Sequence, residues 1–177
     1  MASVVFFRAV NVGGHQRFQP SALARQLAEF GVVNVGAAGT LMVRANVRST
    51  LLRATILKSL PFQPELMICP ARAVLELVRA DPFRHHQAAV KKGARGFVSV
   101  LGKRPPSLPS FPIEQPAGAR WQVRLLGVSG CFVLSLWQRH DRVLLYPNAV
   151  VEKQLGLPAT TRNWDTFTTV AELLGKP

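Results

Sequence analysis

Val32-Val33-Asn34-Val35-Gly36-Ala37-Ala38-Gly39-Thr40-Leu41-Met42-Val43-Arg44-Ala45-Asn46-Val47 is the stretch that decides the fold. Residues 32–36 read as a short strand, Ala37-Ala38-Gly39 as a turn, and residues 40–47 as a second strand in hairpin relation to the first. Upstream, Ser21 follows Pro20 as an expected helix N-cap, and Leu23, Leu27 and Phe30 share one helical face. Gly31 is placed to end that helix in a left-handed cap. Downstream, Ser49 is the expected cap of a helix with Leu52, Ile56 and Leu60 on its buried stripe, closed off by Pro61. Beyond each helix lies an apolar strand, residues 3–10 on one side and 66–69 on the other. The order over residues 1–70 is therefore β-α-β-β-α-β, a ferredoxin-like α-β plait with two helices on one face of an antiparallel sheet.

After Pro70 the pattern begins again, less regularly. Residues 71–80 are helical by the spacing of Val74, Leu75 and Val78, ended by Asp81-Pro82. Residues 84–93 have no apolar period and read as a loop or a polar helix, and residues 96–101 as a strand. Pro105, Pro106, Pro109, Pro112 and Pro116 exclude a packed helix or a central strand from residues 102–118, a semi-rigid connection. Residues 121–128 and 131–137 flank Ser129-Gly130 as a hairpin, and residues 142–146 read as a short strand. Asn148 is the expected cap of a helix to Leu155, ended by Gly156. Thr160-Thr161-Arg162-Asn163-Trp164 then leads into a last helix over about residues 165–174. The expected organisation is α+β, with one plait subdomain at 1–70 and a second, less regular one at 71–177.

A chain of 177 residues buries roughly 70% of its unfolded surface and needs neither disulfide nor metal to fold. With 48% hydrophobic and 18% charged residues it is no disordered tail. Arg8 stops the run Val4-Val5-Phe6-Phe7, too short for a signal-peptide core, and no later run approaches a membrane span. A cytoplasmic protein with no membrane association is expected, its oligomeric state open. Cys69 and Cys131 lie in apolar stretches far from any paired spacing and read as reduced, buried thiols.

The 22 Lys+Arg outnumber the 9 Asp+Glu, for a net charge of +13, because acids are scarce. The excess is spread along the chain. Residues 1–70 carry 7 bases and 2 acids, residues 71–118 carry 8 and 3, and residues 119–177 carry 7 and 4. The densest stretch is 84–104, with Arg84, Lys91, Lys92, Arg95, Lys103 and Arg104. Such a stretch beside a plait sheet can grip a nucleic-acid backbone, or can be a solvated basic face. Arg95-Gly96-Phe97-Val98 is a fragment of the aromatic strand pattern on which RNA-binding plaits stack bases, without its second aromatic.

Two other segments admit a ligand. Asn11-Val12-Gly13-Gly14 between strand and helix offers backbone amides to an anion, with His15 and Arg17 as side-chain partners; the same residues also suit a plain tight turn. The spacing is that of neither a P-loop nor a dinucleotide fingerprint. At the other end, Arg162 reads either as a phosphate ligand at a helix start or as a surface residue beside an anchoring Trp164. His85 and His86 are adjacent and lack metal-chelating spacing, so no metal is expected, and no cofactor. No carboxylate pair and no G-x-S-x-G elbow marks a catalytic centre.

Arg8-Ala9-Val10-Asn11-Val12-Gly13-Gly14 and Leu155-Gly156-Leu157-Pro158-Ala159-Thr160-Thr161-Arg162-Asn163-Trp164-Asp165-Thr166 together resemble a bacterial family of uncharacterised proteins, domain of unknown function 1697. The resemblance implies a pair of α-β plait subdomains and adds little chemistry. Three segments depart from the family pattern. His15 stands where a Lys commonly follows the paired glycines, Ala37-Ala38-Gly39-Thr40 where Gln-Ser-Gly-Asn is common, and Leu145-Tyr146 where a Ser-Lys pair is usual. The resulting expectation is an anionic ligand or nucleic-acid backbone bound through residues 84–104 and the 11–17 loop. The alternative is a small-molecule enzyme or effector-binding domain with a cleft around Asn11, His15 and Arg162.

Overall fold

The structure, a computed structural model, describes residues 1–10, 19–140 and 144–176. The chain forms two compact units, Met1–Arg79 with Thr166–Pro177, and Ala80–Asp165. It is an α+β protein with two antiparallel sheets.

In the first unit β1 (Ser3–Arg8), α1 (Pro20–Gln26), β2 (Val32–Asn34), β3 (Thr40–Val43), α2 (Ser49–Lys58), β4 (Glu65–Pro70) and α3 (Ala71–Ala80) follow in the expected order. The sheet order is β2-β3-β1-β4, every pair antiparallel. β1 is central because Val4, Val5, Phe6 and Phe7 are all apolar and both sheet faces are covered. On one face Val5 and Phe7 join Leu23 and Leu27 beside α1 and Leu52 and Ile56 of α2 in one core. On the other face Phe6 stacks on Phe167 of the last helix, α6 (Trp164–Gly175), with ring centroids 5.4 Å apart. Arg44 ties the same helix down by donating to the carbonyls of Leu173 (3.1 Å) and Lys176 (2.9 Å).

Helix starts differ from expectation. Ser21 and Ser49 do not cap: Gln19 and Arg48 hold the cap positions, and neither makes a side-chain cap bond. Pro20 takes the first helical position itself, where its fixed φ and missing N–H cost nothing. The same correction applies to Asn148, since α5 (Pro147–Leu155) begins at a proline with Tyr146 as its cap residue. Gly31 and Gly156 do close their helices in the left-handed conformation.

The second unit contains a 3₁₀ turn (Arg84–His86), α4 (Gln87–Lys91), β5 (Arg95–Leu101), β6 (Ile113–Gln115), β7 (Val123–Ser129), β8 (Phe132–Trp137), α5 and β9 (Ala159–Asn163). Its sheet order is β6-β7-β8-β5-β9. With the edge strand β6 set aside, its own first to fourth strands stand in the order second-third-first-fourth, as in the first unit. Where α1 joins the first two strands of the first unit, the proline-rich connection does so here. β6 forms inside that connection, at the sheet edge where flanking prolines are tolerated. Glu114 of β6 is clamped by Arg124 of β7 at 2.6 Å, and the Arg124 guanidinium lies 4.3 Å from the Trp121 ring centroid.

Two further expectations are corrected. Of the strand expected at 142–146, residues 142–143 lie outside the described residues and residues 144–146 are not in a strand. Residues 160–163 do lead into the last helix as expected, but they also form a strand the sequence did not indicate, β9 against β5. Their β-branched threonines favour a pleated edge, which no apolar alternation announced. Cys69 is buried, but Cys131 is only half-buried. Gly96 of β5 has a packing role: a Cβ there would lie 3.0 Å from the Phe83 ring, which in turn meets Trp164 edge-on at 5.1 Å. Gly96→Val is expected to lower unfolding stability by about 1–3 kcal/mol, the usual cost of overpacking. Chemical denaturation checks this, and an unchanged midpoint would contradict it.

Candidate nucleic-acid interface

The six basic residues singled out in 84–104 are all exposed, but β5 divides them. Arg95 opens the strand while Lys103 and Arg104 lie just past its far end, roughly 20 Å away at about 3.3 Å per strand residue. Lys91 and Lys92 stand with Arg95 at the near end, where α4 leads into the strand. Arg84 lies in the 3₁₀ turn, with its Nε donating to His85 Nε2 at 2.8 Å. The basic stretch is thus not one patch.

The near end acquires partners from elsewhere in the chain. Arg95 is directly opposite Trp137 in the β5–β8 ladder, so the end of β8 and the residues after it come to its side. Lys92, Arg95, Trp137, Gln138, Arg139 and His140 line a cavity of about 420 Å³. No carboxylate is among its described lining residues. Three basic side chains and an imidazole around one concavity make a positive potential that attracts anions.

An aromatic series adjoins the cavity. Phe97 is two residues along β5 from Arg95 and shares its sheet face. Its ring meets Trp137 edge-on at 6.1 Å, and Trp137 lies parallel to Tyr146 (1° between planes, centroids 6.3 Å). Trp137 Nε1 donates to the Leu145 carbonyl at 2.8 Å, which fixes the indole. Tyr146 is 57% exposed. Two further aromatic rings, one from β8 and one from the cap residue of α5, thus continue the series that begins at Phe97.

Arg162 stands apart. It sits in β9 opposite Val98, on the sheet face away from Phe97 and Trp137, and is 7% exposed. Its Nη1 donates to Thr160 Oγ1 (2.8 Å) and to the Thr161 carbonyl (2.9 Å), and burial lowers its pKa to about 10. It lies in a strand two residues before α6 and is buried, not on the surface. On the opposite face of the same strand, Thr161 donates to Asn148 Oδ1 at 2.9 Å and lies 2.6 Å from Ser99 Oγ, so Ser99 is the donor to Thr161. That half-buried relay joins α5 to the sheet. Asn11, Gly13, Gly14, His15 and Arg17 lie outside the described residues. Among the described residues no group of three or more His, Cys, Asp or Glu is placed to hold a metal, and no helix is long and apolar enough to cross a membrane.

A family model described as protein of unknown function (DUF1697) matches residues 1–124. The chain belongs to that family. The match ends before the segment 155–166 that carries the second half of the resemblance. Among solved structures, the conserved bacterial protein SP0830 from Streptococcus pneumoniae is similar, at 15% identity and a TM-score of 0.57. The alignment covers 99% of this chain and 98% of that one, a likeness of fold. No curated protein matches the sequence.

Proposed function

We propose that this family member binds the backbone of a nucleic acid through the cavity at the near end of β5. The observation that carries the reading is the convergence of Lys92, Arg95, Arg139 and His140 on one concavity of about 420 Å³. Lys103 and Arg104, at the far end of β5, are outside the primary site and at most extend the path of a long ligand. We read the first unit as a ferredoxin-like plait, supported by its β2-β3-β1-β4 order with α1 and α2 as crossovers. Two cysteines without a disulfide support a reducing, cytosolic setting.

Phosphate contacts release counterions, so affinity must fall with salt. Three to four contacts predict a slope of log K against log salt of about −2 to −3 for a single strand, at about 0.7 per contact. Fluorescence anisotropy of a labelled oligonucleotide over a salt series measures it. The variants Lys92→Ala, Arg95→Ala and Arg139→Ala should each make the slope shallower by about 0.7. Absence of binding at about 50 mM salt, or binding indifferent to salt, would overturn the proposal.

A further inference from the structure

We infer that the occupant of this site is a single-stranded nucleic acid, one of whose unpaired bases stacks on Tyr146. This deepens the backbone-binding reading and rests on it. Trp137 joins the two halves of the argument: it is a wall of the basic cavity, and its ring is parallel to that of Tyr146. A phosphate held by Lys92, Arg95 or Arg139 therefore places its own base beside an aromatic surface.

Tyr146 is suited to that part by its exposure and by the ordered backbone and indole beside it. Large aromatics normally bury most of their surface, yet this ring is 57% exposed. Its backbone is extended (φ −98°, ψ 145°) and is held there by the following Pro147, which disfavours the helical alternative. Behind it the indole is fixed on two sides, by the Nε1 bond to Leu145 and by the edge of Phe97. The indole surface against which Tyr146 lies is thus already ordered when a base arrives, which lowers the entropic cost of stacking.

Stacking decides the kind of nucleic acid. Every base has a π-face, so the platform tolerates any sequence, but it needs a face that is free. In a duplex those faces are covered by neighbouring base pairs, and only the backbone remains to the cavity. A single strand offers both backbone and base. The surface thus combines the two components of single-strand binding, a cationic groove and an aromatic shelf.

The test compares oligothymidylate and oligouridylate with a DNA duplex of the same length, for wild type, Tyr146→Ala and Tyr146→Trp. Tyr146→Ala is expected to weaken single-strand binding about 5- to 100-fold, the value of one stacked base, with the salt slope unchanged. Tyr146→Trp should retain the affinity, and duplex affinity should not respond to either substitution. Tyr146 is exposed and makes no cap bond through its side chain, so both variants should fold, which circular dichroism checks. Wild-type affinity for duplex equal to that for single strands, or an unaltered affinity in Tyr146→Ala, would overturn the stacking inference while leaving backbone binding in place. If no oligonucleotide binds at low salt, the backbone reading itself fails and takes the stacking inference with it.

Discussion

Gly39→Ala is expected to destabilise the protein by about 2–5 kcal/mol, far more than the same change at Gly36. Both glycines lie in the β2–β3 turn with positive φ, +78° at Gly36 and +71° at Gly39. An L-residue there costs about 1–2 kcal/mol in backbone sterics alone. At Gly36 nothing lies within 4 Å of the added methyl, so the backbone cost is the whole effect. At Gly39 the methyl would lie 2.9 Å from Phe7 Cβ and 2.9 Å from Val10 Cγ2. Phe7 is at the centre of the sheet and cannot swing aside, because its backbone N–H also donates to the Gly39 carbonyl at 2.9 Å. Overpacking of about 1–3 kcal/mol therefore adds to the backbone term. Urea denaturation of the two variants separates the contributions, and equal losses would show that contact with Phe7 and Val10 is not what requires glycine.

That turn also shows what the sequence pattern can and cannot carry. The contacts of Gly39 give the glycine of Ala37-Ala38-Gly39-Thr40 a packing reason that no local pattern states. The strand-turn-strand reading, the α3 span and the glycine ends of two helices were legible because each depends on neighbours in sequence. β9 was not legible. Ala159-Thr160-Thr161-Arg162-Asn163 has no apolar alternation, and it becomes a strand only because β5 offers it an edge.

The site divides in the same way. The basic run was visible in the sequence, whereas its division by β5 and its completion by Trp137, Arg139 and His140 follow from the β5–β8 register, a pairing between distant segments. Leu145-Tyr146 registered in the sequence as the loss of a Ser-Lys pair. In the fold, Tyr146 is an exposed ring stacked on Trp137. A signal could have been found in Trp137 itself, a large aromatic at the end of a strand followed directly by Gln138-Arg139-His140.

Phe167→Ala is expected to remove about 3–5 kcal/mol, a large fraction of the about 5–15 kcal/mol that holds a typical domain folded. Phe167 is fully buried, and its ring stacks on Phe6 of the central strand at 5.4 Å with 21° between planes. Two physical terms add in the loss: the transfer of a phenyl group from water, and a cavity against β1 that the sheet is too rigid to fill. The neighbouring Thr169 is exposed, so Thr169→Ala should change stability by no more than about 0.5 kcal/mol and controls for helix propensity in α6. The loss should also be coupled to Phe6. In a double-mutant cycle of Phe6→Ala and Phe167→Ala, a ring pair of this geometry should show an interaction of about 0.5–1.5 kcal/mol. Additive losses would mean that residues 166–176 are held by Val170 and the Arg44 bonds to Leu173 and Lys176, with the stacked pair as a bystander. A coupled loss would make the stack the contact that fastens the C-terminal helix across the face of β1.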